Sequence, residues 1–542
     1  MGIPKKQRAV QLTGPNQLKF NTEKEVYLPN DYQILCKVEA VGLCFSDLKL
    51  LKQFDSHVRK GKIVSGAEQA VLNEYPAYKT EKTPTVPGHE AVVRAVKVGS
   101  RVTRAKVGDR FLVQADMRWL KTEKSNGAFG YNIEGALQEY TLIDERISCS
   151  PEGEFILIPA PEDKSASAVA LCEPWACVED SYISKERKQI SPQSKMLVVT
   201  EDEFNSANFT KMLEKFGKPE KISDAKAESL ENINEKFDDI VYFGAKAETI
   251  EKLFDKAKAH ALINIVLCGK KIDREVETAV GLVHYGGIRI IGTTGDNPAD
   301  AMKHIPPTGE IRTNDKVNVI GAGGPMGVMH AIRNICQGIK GITVYAGDLD
   351  DNRLLSLTKI AANLAKEKGV KYIPYNPTKE KAPVNIDYAA LMAPVPALAA
   401  QCVKDAAKGG IINIFAGIPA MVKGKIDLNA YIEKKLYFIG TSGSTIEDIK
   451  KVLAKVEAGK LDTNLSVAAV ASLESAIEGI RAVENQSIAG KIIIYPQCGN
   501  LLLTTLEQMQ KEMPDVASKL DNGLWTKEAE NTLIEKFTRK QI

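Results

Sequence analysis

Two stretches of this chain repeat one another, and the repeat constrains the fold more than any other feature. Gly286-Gly287-Ile288-Arg289-Ile290-Ile291-Gly292-Thr293-Thr294-Gly295 echoes Lys434-Lys435-Leu436-Tyr437-Phe438-Ile439-Gly440-Thr441-Ser442-Gly443. Phe237-Asp238-Asp239-Ile240 echoes Asn385-Ile386-Asp387-Tyr388, and 263–269 sits opposite 411–417 in the same register. In both stretches short apolar runs alternate with segments rich in Lys, Glu and Ala, the pattern of a parallel sheet with crossover helices. Two successive α/β units are therefore expected, over 191–313 and 314–459. Ahead of them, residues 1–190 read as β-rich, with runs at 32–39, 91–98, 110–113 and 139–143 separated by Gly, Pro and Asp turns.

The two copies differ at their openings. The second begins with an apolar strand, then Gly321-Ala322-Gly323-Gly324-Pro325-Met326-Gly327, then a helical stretch. A strand, a Gly-rich turn and a helix N-terminus present backbone N–H groups and a positive dipole end to a pyrophosphate. The next strand, 342–345, ends near Asp348, placed to accept hydrogen bonds from a ribose. Asp348, with Asp350 and Asp351, would repel a 2′-phosphate, so NAD is expected over NADP; Arg353 is the residue that would favour NADP. The first copy opens Met196-Leu197-Val198-Val199-Thr200-Glu201-Asp202-Glu203-Phe204, with no glycine and three carboxylates. It is expected to keep the fold, to have lost the cofactor, and to serve a structural or oligomerising role.

Three separated residues suggest a metal. Cys44 lies in Gly42-Leu43-Cys44-Phe45-Ser46-Asp47, His89 in Pro87-Gly88-His89-Glu90, and Glu173 in Cys172-Glu173-Pro174. A thiolate, an imidazole and a carboxylate can form an open tetrahedral zinc site that lowers the pKa of a bound alcohol oxygen. Each alone has a blander reading, Cys44 as a small buried hydrophobe and His89 as a satisfied core or surface residue.

With these motifs, and Val107-Gly108-Asp109-Arg110 beside them, the sequence resembles the zinc-dependent medium-chain dehydrogenase/reductase family of alcohol and polyol dehydrogenases. The resemblance covers about 1–185 and 314–497. It implies an α/β plus β architecture: a GroES-like catalytic domain (1–190), an inserted degenerate Rossmann-like domain (191–313), a Rossmann NAD(P)-binding domain (314–459), a return to the catalytic domain (460–500) and a helical C-terminal extension (501–542). It implies Cys44, His89 and Glu173 as ligands of one catalytic zinc, Glu90 as the carboxylate beside the metal, and Ser46 as the hydroxyl that passes the substrate proton outward. Lys49 falls where many members carry the outer histidine of that relay. The stretch 114–140 lacks the four cysteines of a structural zinc, so none is expected. The Gly turn has one residue more than the common form before Gly327. The stretch 114–140 is also similar to the sorbose-1-phosphate reductase branch, which interconverts a ketose phosphate and a hexitol phosphate. Arg118 and Lys121 would then pair with a substrate phosphate.

Composition narrows the classes further. Lys and Arg number 72 against 69 acidic residues, a net charge of +3 that gives no reason to expect a nucleic-acid or membrane partner. Nine scattered cysteines without a C-x-x-C pair, and no apolar run after Met1-Gly2-Ile3-Pro4-Lys5-Lys6, lead to the expectation of a reduced, cytoplasmic protein. The expected partner is a small polyol or sugar phosphate, in a homo-oligomer. Two other classes stay open: a zinc-free quinone or enoyl reductase of the same fold, and a non-catalytic scaffold. His57 and His330 have no visible cluster, and Leu502, Leu506 and Met509 read as an apolar packing stripe.

Overall fold

The computed structural model describes residues 2–201 and 209–539, so Asp202 and Glu203 lie outside the described residues. The chain divides into two compact units, 1–176 with 444–542, and 177–443.

The first unit is built on an eight-stranded mixed sheet. Its order is Leu157–Pro159, Arg110–Val113, Glu90–Val98, Gln33–Gly42, Lys491–Ile494, Val467–Ala471 and Thr504–Thr505, with Tyr140–Asp144 also paired to Gln33–Gly42. The central strand Gln33–Gly42 alternates little and is buried along most of its length, because it packs on both faces. The closing strand runs antiparallel to it, with Ile493 opposite Gly42, so the end of the chain completes a sheet started near its beginning. The stretch 114–140 contains strands Asp116–Thr122 and Asn126–Ala128, which pair with each other, the first of them also pairing with Ile63–Ser65. Met117 and Leu120 anchor it in the core, and Gly127 leaves room for Leu120, whose Cβ would lie 3.1 Å from an added Cβ.

The tail after 500 forms helices Leu506–Glu512, Pro514–Ala517 and Lys527–Phe537. Leu502 precedes the first of them and is 69% exposed, so the apolar stripe does not include it; Met509 and Trp525 carry the packing. Trp525 Nε1 donates to Ser167 Oγ, and the buried Glu530 carboxylate accepts from Ser167 N at 2.8 Å and from the Tyr495 hydroxyl. A carboxylate at these backbone donors caps the short helix Ala166–Ala170 and ties the tail to the unit.

The second unit holds two parallel sheets. The first has the order Lys221–Lys226, Lys195–Thr200, Phe237–Phe243, Ala257–Val266, Arg289–Thr293. The second runs Lys371–Tyr375, Thr343–Gly347, Lys316–Ile320, Ile386–Leu391, Ala406–Ile414, Tyr437–Ile439. Equivalent elements lie 149 residues apart at first, as Phe237–Phe243 with Ile386–Leu391 and Ala257–Val266 with Ala406–Ile414, and 148 apart from Val276 on, as Val280–Tyr285 with Leu428–Glu433. Ile263 thus corresponds to Ile412, one residue beyond the register expected from the sequence. Before that they diverge. The second copy has a 12-residue helix Pro325–Cys336 and an 18-residue helix Asp351–Lys368; the described helix at the same stage of the first is the five-residue Phe209–Leu213. One apolar core joins both copies, drawing on Val280, Val283 and Ile290 from the first and Leu428, Tyr431 and Phe438 from the second. Among the described residues no helix is long and apolar enough to cross a membrane.

Candidate active site

The strand Gln33–Gly42 delivers Cys44 to the start of helix Phe45–Gln53. The Asp47 carboxylate accepts from Cys44 N at 3.1 Å and lies 3.2 Å from His89 Nδ1, so one side chain fixes both the helix entry and the imidazole. With Nδ1 held there, Nε2 points to the Ser46 hydroxyl, 3.2 Å away. Ser46 Oγ also donates to Cys44 Sγ at 3.0 Å.

His89 and Glu90 sit where the neighbouring strand Glu90–Val98 begins, opposite Gly42 in the register. Gly42 is required here, since an added Cβ would lie 2.2 Å from Glu90 Oε2. The ligating atoms of Cys44, His89 and Glu90 lie within 4.8 Å of one another. Glu90 Oε1 accepts from Lys491 Nζ at 2.6 Å, and the same ammonium donates to Leu43 O at 2.6 Å. Glu90 Oε2 is buried with no hydrogen-bond partner. A buried carboxylate oxygen left unpaired is costly, and sulfur, nitrogen and oxygen donors converging beside it form a set that suits zinc. The residues therefore fit the metal.

Glu173 starts the helix at Cys172 and is buried, but its carboxylate is not one of the clustered three. It is still felt there. Burial, then the charges of Glu90 and Asp116 against those of His89 and Lys491, push it up to about 7. Burial opposes the Lys491 charge, yet Glu90, Cys44 and Glu173 outweigh it and hold the ammonium above its ordinary value. Lys49 lies on the exposed face of helix Phe45–Gln53.

Three contributors were not singled out from the sequence as site residues: Asp47, Lys491 and Tyr131. The Tyr131 ring lies 5.7 Å from that of His89 and 5.1 Å from that of His57. His57, read above as isolated, thus joins an aromatic row, and burial with the charges of Arg59 and Lys49 lowers it to about 4. Asp47 was visible as the third residue of a helix turn after Cys44, a capping position; nothing local marks Lys491 or Tyr131. Arg118 and Lys121 are both exposed on strand Asp116–Thr122, and Arg118 donates to Ser444 O at 2.9 Å.

The Gly turn lies in the second unit. Gly321 has φ +83°, and helix Pro325–Cys336 starts directly after Gly324. A Cβ on Gly327 would meet Gly321 O at 2.1 Å, and one on Gly323 would meet Arg353 Cβ at 2.5 Å and Asp348 Oδ2 at 3.0 Å. Gly323 N donates to Asp348 Oδ2 at 2.8 Å, so the acid that follows strand Thr343–Gly347 sits against the turn. This tight cradle, with Pro325 and Met326 opening the helix, fits a dinucleotide pyrophosphate with its ribose at Asp348. Asp350 is engaged in capping helix Asp351–Lys368, accepting from Asn352 N and Arg353 N.

Residues 30–151 match the alcohol dehydrogenase GroES-like domain. An uncharacterised Escherichia coli protein, YggP, is 25% identical over 247 residues, 42% of this chain and 58% of that protein. The D-arabitol-phosphate dehydrogenase of Enterococcus avium is 27% identical over 191 residues, 33% of this chain and 45% of that protein. The chain thus spans about half the length of these curated relatives. The 2R,3R-butanediol dehydrogenase of Bacillus subtilis shares the fold, with TM-score 0.51 at 16% identity over 90% of this chain and 99% of that one.

Proposed function

We propose that this chain is a medium-chain dehydrogenase/reductase and that it reversibly oxidises a secondary alcohol of a polyol or sugar phosphate, using one zinc and a nicotinamide dinucleotide. The observation that carries this reading is the cluster of Cys44, His89 and Glu90 with its unpaired buried carboxylate oxygen. Cys44 and His89 would hold the metal, with Glu90 or Glu173 as the carboxylate. When bound, zinc supplies a Lewis acid for the alcohol oxygen and the dinucleotide an acceptor for the hydride.

The chain's own residues do the rest. Asp47 keeps the imidazole turned inward, and Lys491 holds one oxygen of Glu90 while leaving the other free. The Ser46 hydroxyl, in contact with Cys44 Sγ and His89 Nε2, would relay the proton released as the alcohol becomes a ketone, giving up its own proton outward to solvent as it accepts the substrate's. Gly321, Gly323, Gly324 and Gly327 admit the pyrophosphate, and Asp348 favours NAD. The relative named for a polyol phosphate, together with exposed Arg118 and Lys121, supports a phosphorylated substrate.

Metal content decides the chemistry. About one zinc per chain by mass spectrometry, lost in Cys44→Ser, is expected. No zinc in freshly prepared protein would move the reading to a zinc-free reductase or a scaffold. Replacing Arg118 and Lys121 together with alanine should raise KM for a phosphorylated substrate and leave its non-phosphorylated analogue unchanged. Equal effects on both would remove the phosphate assignment.

A further inference from the structure

The short strands Val276–Thr278 and Gly424–Ile426 pair antiparallel, as Val276 with Ile426, Glu277 with Lys425 and Thr278 with Gly424. At the offset of 148, Glu277 and Lys425 are equivalent positions of the two copies. Val276 therefore pairs with the equivalent of Thr278, and Thr278 with the equivalent of Val276. Each copy contacts in the other what the other contacts in it, which defines an isologous interface about a two-fold axis.

Contacts away from the strands obey the same reciprocity. A Cβ on Gly292 would lie 2.7 Å from Ile432, and one on its equivalent Gly440 would lie 2.9 Å from His284, the equivalent of Ile432. Gly281 would meet Pro419 O and Ala420, while its equivalent Asn429 exchanges two 2.9 Å hydrogen bonds with Ile272, the equivalent of Ala420. Arg289 and its equivalent Tyr437 converge on a single carboxylate, Glu186. The strands carrying them, Arg289–Thr293 and Tyr437–Ile439, are each the last in their sheet.

We infer that the first α/β copy is a resident partner for the cofactor-binding copy, filling within one chain the seat that a second copy of this protein would otherwise take. The edge strand Tyr437–Ile439 and the apolar face around Tyr431 and Ile432 are covered in cis, so any self-association of the chain uses another surface. Retention of the copy without a Gly-rich turn follows, because its pairing face lies after residue 237, in the half that matches, while its losses lie before it. This inference is independent of the chemistry proposed above.

The test is a cross-link at the two-fold axis. Glu277 and Lys425 are exposed and directly opposite, so Glu277→Cys/Lys425→Cys in the full chain, treated with a short bismaleimide at micromolar protein, reports who pairs with whom. A 277–425 link, identified by peptide mass spectrometry in material of single-chain mass and absent from either single variant, is expected. The same link in double-mass material would overturn the inference, as would failure of any 277–425 link to form. Zinc content and nucleotide binding of the parent chain should be unchanged in the unlinked variant, which separates this result from the fate of the proposed activity.

Discussion

The two α/β copies share strand order and pairing face, yet a Gly-rich turn opens the sequence of the second and not that of the first. From residue 237 onward their elements correspond in order with a single one-residue change of register between 266 and 276, and both contribute to one apolar core. Before that point the second copy has the Gly turn and two long helices, whereas the first has Glu201 beneath a Tyr242 hydroxyl and only short described helices. The difference teaches that a fold's packing half and its ligand half are separable. A parallel sheet needs no phosphate site to hold together, because side chains such as Val283 and Tyr431 pack it into the shared apolar core.

The largest expected effect uses a residue in which the copies differ. His330 is buried on the helix that follows the Gly turn, and its Nδ1 lies 2.8 Å from the Tyr182 hydroxyl. Burial, then the nearby Arg333 charge, lowers it from 6.5 to about 3. The unfolded chain therefore binds the extra proton first, so its contribution is complete above pH 6.5 and is lost as pH falls to 3. That loss amounts to roughly 4–5 kcal/mol at the acid end. Urea melts at pH 4 and pH 7 should show a smaller pH difference for His330→Phe than for the parent; an equal difference would place acid sensitivity elsewhere.

Next comes the cradle itself. Gly327→Val, with its Cβ driven onto Gly321 O, is expected to weaken NADH binding at least about 100-fold, roughly 2.7 kcal/mol, measured by fluorescence titration. Smaller is the shared core. Tyr431→Phe removes the hydroxyl that donates to Ile290 O and accepts from Phe438 N, bridging the copies. A cost of about 1–3 kcal/mol in unfolding free energy is expected for the unpaired buried groups, with zinc content unchanged. Smallest is Asp348→Asn, which should shift the NADH to NADPH preference by about tenfold, or 1.4 kcal/mol, through loss of repulsion; no change would remove Asp348 from the ribose pocket.

Legibility in the sequence followed the range of the interactions. The strands at 110–113 and 91–98 came within a residue of their positions because their alternation and turns are local. Cys44, Ser46 and His89 stood out through short motifs. Glu90 was placed beside the metal and Glu173 among the ligands, whereas the structure clusters Glu90 with Cys44 and His89. That arrangement depends on Gly42 facing Glu90 across two strands, a pairing no local spacing reports. Lys491 reaches Glu90 across 401 residues of sequence, and only the sheet brings them together. The hairpin at 116–128 was missed because its burial follows Met117, Leu120 and Thr122, an irregular pattern produced by a register shift between Met117 and Lys121.

The most direct measurement is the number of NADH molecules bound per full-length chain, by isothermal titration. One site per chain, abolished by Gly327→Val, is expected if the second copy alone holds the cofactor. Two sites, or one that survives Gly327→Val, would contradict the division of labour between the copies.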